Sequence, residues 1–159
     1  MHIVGVTGHQ SREGIDWKWV RRIIKSELAK RLPIQRCVSS LAAGSDQVFA
    51  SVAFALHLPV LAIIPMPQYE DYFKGYSLLA YRRLRARSEV DVLPYQSDAE
   101  QSFLRAGQRV VQVSTCMFAI WDGEPAGGKG GTADIVTFAL ESSRSVLHIN
   151  PLKRIVNIL

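Results

Sequence analysis

Apolar side chains recur along the chain in two alternating patterns. Short runs rich in β-branched residues fall at positions 3–6, 36–39, 60–64, 90–93, 117–121 and 146–149, and they read as strands. Between them, apolar residues return every three or four positions, which predicts helices over 16–32, 45–57, 69–88, 98–114 and 131–143. In the first helix, Trp17, Val20, Ile23, Ile24, Leu28 and Leu32 form one apolar face suited to core packing. The strand runs are continuous rather than alternating, so both of their faces must be covered. A βαβ alternation with doubly buried strands predicts an α/β, three-layer Rossmann-like fold with a mostly parallel sheet of about six strands. The segment 151–159 is left with two roles, packing on the sheet edge or supporting an oligomer.

Composition narrows the class without changing the fold. The 159 residues are 48% hydrophobic and 21% charged, the balance of a soluble globular protein with one real core, so a single domain over 1–159 is expected. Residues 48–67 are nearly apolar, but Pro59, Pro65, Pro67 and His57 argue against a membrane span and favour a buried helix followed by a buried strand. The opening Met-His-Ile-Val-Gly-Val lacks the basic region and apolar core of a secretion signal, so a cytoplasmic location without membrane contact is expected. Cys37 and Cys116 sit in or beside apolar runs and read as core residues, neither disulfide partners nor metal ligands. No metal and no cofactor is expected. The net charge of +5 suits phosphate-bearing ligands or nucleic acid but decides nothing alone.

In a parallel sheet the ligand lies beyond the carboxyl ends of the strands, so the segments following strands carry the candidate chemistry. Three are rich in glycine and small polar residues: Thr7-Gly8-His9-Gln10-Ser11-Arg12, Ser39 to Asp46, and the stretch from Trp121 to Asp134. The last holds four glycines in the five positions from Gly127 to Gly131, around Lys129. Glycines let backbone N–H groups approach an anion, and a helix starting at Gly131-Thr132 aims its unpaired donors at the same place. Gly128, Lys129, Gly130, Gly131 and Thr132 are therefore expected to bind phosphate. In the first loop, Thr7 and Gly8 would border the ligand, and His9 and Arg12 would add charge-assisted hydrogen bonds, although His9 equally suits capping of backbone. In the second, Ser45 or Asp46 is a natural helix N-cap, and Gly44 is the residue whose replacement should harm binding most. Asp122 and Glu124, at the end of the fifth strand, suit a ribose hydroxyl or acid chemistry. Neither GxGxxG nor GxxxxGK[ST] is present.

A first strand ending Thr-Gly-His, a second loop Ala-Gly-Ser-Asp, and Ala119-Ile-Trp-Asp-Gly followed by Gly-Gly-Lys-Gly-Gly-Thr resemble the SLOG superfamily. These Rossmann-like nucleotide-binding domains include the Lonely Guy phosphoribohydrolases and the Smf/DprA proteins. The resemblance implies binding of a nucleotide or nucleotide-derived small molecule, as sensor or as enzyme. Lonely Guy enzymes carry a PGGxGTxxE loop whose glutamate is catalytic, with an assisting helix arginine. Gly131-Thr132 match the GT pair, Ile135 stands at the glutamate position, and Asp134 is the nearest acid. Arg109 or Arg105 would stand for the arginine. Losing the acid removes most of the expected stabilisation of an oxocarbenium-like state, so the loop argues for binding more than for cleavage. Nucleoside 2-deoxyribosyltransferases are a second resemblance with the same missing glutamate.

Nucleic-acid binding is the alternative of another class, suggested by Arg82-Arg83-Leu84-Arg85-Ala86-Arg87 and by the Smf/DprA likeness. Apolar spacing of Tyr72, Phe73, Tyr76 and Leu79 makes that segment read instead as a packed helix with a basic, dipole-favoured last turn. A nucleotide-like small molecule is thus the expected partner ahead of nucleic acid, with a homo-oligomer also expected.

Overall fold

A computed structural model describes residues 1–125 and 131–159. Seven strands, β1 (His2–Gly8), β2 (Ile34–Ser39), β3 (Val60–Ile64), β4 (Glu89–Val92), β5 (Cys116–Ile120), β6 (Ser145–Asn150) and β7 (Ile155–Ile158), form one sheet in the order β4-β3-β2-β1-β5-β6-β7. Of the six pairings along that order, five are parallel and the last, β6 with β7, is antiparallel. Among the described residues the α-helices are α1 (Trp17–Ala29), α2 (Ser45–Ala55), α3 (Tyr76–Arg87), α4 (Ala99–Val113) and α5 (Thr132–Glu141).

Doubly covered strands explain the two separate cores. Val4, Val6, Cys37, Ala62, Phe118 and Ile149 face α1, α2 and α3, whereas Val38, Ile63, Met117, Ala119 and Val146 face α4 and α5. Both cysteines are buried and free, as their strand positions predict. The chain steps from β1 outward to β4 with helices on one face, then returns through α4 on the other face to place β5 beside β1. The order therefore reverses between β1 and β5, where the following loops diverge and leave a crevice.

Two expectations are corrected. The helix predicted over 69–88 is broken: a 3-10 turn, Tyr69–Tyr72, is followed by extended Phe73 and by Gly75 at φ +59°, and only then does α3 begin. Apolar spacing misled because Tyr69 and Phe73 pack on Tyr81 from a separate turn that doubles back at Gly75, so one core contact does not require one continuous helix. Leu32, assigned to the face of the first helix, lies beyond its end and is 54% exposed. A seventh strand lies in the tail, which packs on the sheet edge: Leu147 to Asn150 pair with Ile155 to Ile158 after a turn at Pro151. Among the described residues, no helix is long and apolar enough to cross a membrane.

Candidate functional site

A cavity of about 500 Å³ opens at the carboxyl edge of the sheet where the strand order reverses. That volume suits a small organic ligand. Its walls come from the loops after β1, β2, β3 and β5 and from the facing sides of α4 and α5. Convergence of the small-residue loops, expected from the crossovers, is thereby realised.

Thr7, Gly8, His9 and Arg12 border the cavity from the first loop. A side chain at Gly8 would begin 2.5 Å from the Ile120 carbonyl and 2.6 Å from Ser45 Oγ, so only glycine lets the ends of β1, β5 and α2 meet. His9 and Arg12 are not left pointing at solvent. The Asp122 amide donates to His9 Nε2 at 3.2 Å, and Arg12 Nη1 lies 2.5 Å from Asp122 Oδ2. His9 thus does cap backbone, and the pair ties the first loop to the fifth.

Asp122 is the centre of this arrangement. Its side chain is only 8% exposed, and its Oδ1 accepts from the Glu124 amide at 3.0 Å and lies 3.4 Å from His9 Nε2. Oδ2 is buried against the Arg12 guanidinium, which balances its charge. Burial pushes the Asp122 carboxyl up, yet the Glu124 amide together with His9 and Arg12 outweighs it and holds the group below the ordinary carboxylate range. Support comes from β6, which the sequence did not single out. Asn150 Nδ2 donates to the Asp122 carbonyl at 3.4 Å, and His148 Nε2 donates to the Trp121 carbonyl at 2.9 Å while its ring lies 4.3 Å from the Trp121 ring.

Gly44 and Ser45, expected to touch ligand, instead clamp the first loop and do not border the cavity. Gly44 has φ +81°, and a side chain there would begin 2.0 Å from the Gln10 carbonyl oxygen. Gly44, rather than Ser45 or Asp46, takes the N-cap position of α2; Ser45 Oγ is free of that task and donates to the His9 carbonyl at 2.8 Å. Asp46 turns back to accept from the Ala42 amide at 3.3 Å and borders the cavity. Burial pushes its carboxyl up to about 7 against the opposing pull of the Ala42 and Ser40 amides.

At the fifth loop, Gly131 and Thr132 border the cavity at the start of α5, while Gly128, Lys129 and Gly130 lie outside the described residues. Asp134 is exposed in the first turn of α5 and does not border the cavity. Ile135 does, and it is buried against α4, its Cδ1 2.4 Å from where a Gly107 side chain would begin. Arg109 also faces elsewhere: it pairs with Asp91 at 3.6 Å and lines a separate depression with Arg105. Residues 106, 107 and 110 lie on the face of α4 toward the cavity and 105 and 109 on another face, so neither arginine borders it.

Sequence reasoning also missed an aromatic wall. Tyr69, Tyr72 and Phe73 follow β3 and, with Phe103 of α4, border the cavity. The carboxyl-edge rule, applied to β3, identifies them, but their helical spacing hid them in a predicted helix. The arginine run is largely engaged within the chain: Arg82 with Glu70 at 2.9 Å, Arg85 with the Tyr81 hydroxyl at 3.0 Å, and Arg87 over the Phe54 ring at 4.3 Å. Among the described residues, no group of His, Cys, Asp and Glu is placed to hold a metal ion.

Fold and site together define a three-layer Rossmann-like α/β protein with a cavity at its topological switch point. No family model and no characterised protein sequence matches the chain. Among solved structures, it is similar to DNA processing protein A from Streptococcus pneumoniae, with TM-score 0.64 and 22% identity over 94% of this chain. The same protein from Helicobacter pylori, solved for its single-stranded DNA binding mode, gives TM-score 0.66 and 14% identity over 94% of the chain. TM1055, a structural-genomics target, gives 0.57 and 14% over 92%. The chain spans 50%, 65% and 72% of these proteins respectively. At such identities the likeness is one of fold.

Proposed function

We propose that residues 1–159 act as one domain that binds a nucleotide or nucleotide-derived small molecule in the switch-point cavity. A sugar hydroxyl would donate to Asp122, and the phosphate would meet the start of α5 and the glycine loop. The convergence of Thr7, Gly8, Asp122, Gly131 and Thr132 on one cavity where the strand order reverses carries this reading. Binding is favoured over cleavage: the Lonely Guy glutamate position is a packed isoleucine, and Asp134 faces away from the cavity. Titration calorimetry with nucleoside monophosphates tests it. Asp122→Ala is expected to lower affinity about tenfold or more while the protein still unfolds cooperatively; undiminished affinity rejects the site.

A second reading, single-stranded nucleic acid, rests on the two DNA processing protein A neighbours and the net charge of +5. It predicts salt-sensitive retention of an oligonucleotide. Since the arginines of α3 are mostly engaged, neutralising Arg82, Arg83, Arg85 and Arg87 should matter less than altering the cavity. Retention abolished by the arginine changes alone would place the contact on α3.

A further inference from the structure

The break between the 3-10 turn and α3 has a chemical result. It brings Tyr69, Tyr72 and Phe73 to the cavity at the carboxyl edge of the sheet, with Tyr69 and Phe73 also packed against Tyr81 in the core. Tyr69 is buried among Phe73, Tyr81 and Phe103, at ring separations of 4.9, 5.4 and 6.3 Å. Tyr72 is different, because it borders the cavity yet is 53% exposed. Its ring meets Phe103 at 5.2 Å and 84°, which makes a right-angled corner. A flat ring laid on either face stacks on one aromatic and meets the other edge-to-face, both favoured arrangements.

We infer that the corner of Tyr72 and Phe103 is a stacking subsite for a planar nitrogen heterocycle, the base of a nucleotide, whose hydrogen-bonding edge faces Asp46 and Tyr69. This rests on the nucleotide reading of the cavity and adds to it the group that holds the base. Asp46 and Tyr69 border the same cavity and are close enough that the Asp46 charge acts on the phenol. Burial is the larger influence on each and favours the uncharged forms, so the Tyr69 phenol keeps its proton and Asp46, raised to about 7, divides between acid and carboxylate near neutral pH. Such groups read a base edge; a purely apolar wall would not.

Calorimetry with the four ribonucleoside monophosphates and with ribose 5-phosphate, on the full chain, tests the assignment. In the wild type, nucleotides should bind more tightly than ribose 5-phosphate. Tyr72→Leu should weaken every nucleotide by roughly fivefold or more, the low end for base–aromatic stacking, and leave ribose 5-phosphate unchanged. Tyr72→Phe should retain nucleotide affinity, and Asp46→Asn should alter the order of preference among the four bases. Equal wild-type affinity for nucleotides and ribose 5-phosphate, or nucleotide affinity indifferent to Tyr72→Leu, overturns the base subsite and leaves the wider reading standing. An unaltered base preference in Asp46→Asn overturns the edge assignment. If the wild type binds none of these compounds, both readings fall together.

Discussion

Ile135 fills the space that a side chain at Gly107 would occupy, its Cδ1 2.4 Å from that position. This contact joins α4 to α5 beneath the cavity, and it uses the position at which Lonely Guy enzymes carry an acid. Gly107→Ala should therefore overpack the junction and destabilise by about 1–3 kcal/mol. Adding Ile135→Val should recover part of that loss, so chemical denaturation of the two single variants and the double variant should show clear non-additivity. Simple additivity would mean that the two residues do not share this space.

Gly44 and Gly75 both have positive φ, at +81° and +59°, but only Gly44 is hemmed in, by the Gln10 backbone. Gly75→Ala should cost about 1–2 kcal/mol, the strain of the backbone alone. Gly44→Ala should cost more than that, and it should also weaken ligand binding because the first loop must shift. Equal unfolding midpoints for the two variants would contradict the clamp between the first and second loops.

The Asp122 carboxyl, though raised by burial, is held on balance below its ordinary value of 3.8 by the Glu124 amide, His9 and Arg12. A lowered folded value contributes stability that is present above the unfolded value and lost as pH falls through the folded one. The stability difference between wild type and Asp122→Asn should accordingly be largest near neutrality and shrink below about pH 4. Denaturation midpoints across pH 2–6 measure it.

Asp46 gives the opposite sign. Burial raises its folded value from 3.8 to about 7, so between those limits the folded state holds a proton that the unfolded state has released. Stability from this group is complete below pH 3.8 and declines as pH rises to about 7, by roughly 4 kcal/mol at most. Asp46→Asn keeps an oxygen to accept from the Ala42 amide and does not ionise. Its stability should therefore hold up better than wild type on going from pH 4 to pH 8, and a parallel decline in both would refute the assignment.

The layered fold and most of the cavity were legible because continuous β-branched runs identify doubly buried strands, and because the carboxyl-edge rule says where their loops matter. Thr7, Gly8, His9, Arg12, Asp122, Gly131 and Thr132 do meet at one cavity. Relationships across the sheet were less visible. Nothing in local spacing says that Ser45 will donate to His9, or that Asn150 and His148 will brace the segment at Asp122, since these partners lie 27 to 36 residues apart. The aromatic wall was hidden for a different reason: Tyr72 and Phe73 fit a helical period that Gly75 interrupts. Arg109 was misplaced because spacing cannot tell which side of α4 meets the sheet until β4 supplies Asp91 as its partner.

The cavity draws its walls from stretches around residues 7–12, 40–46, 65–73, 103–110, 121–125 and 131–135, with almost the whole sheet between the first and the last. No short fragment contains it. A ligand held there gains its contacts only after the order of strands is complete, so its binding energy is spread over the entire folded state and none of it reaches a partly assembled chain. Saturating ligand should raise the unfolding midpoint of the molecule as a whole, making melting temperature a direct gauge of which small molecules belong in the crevice.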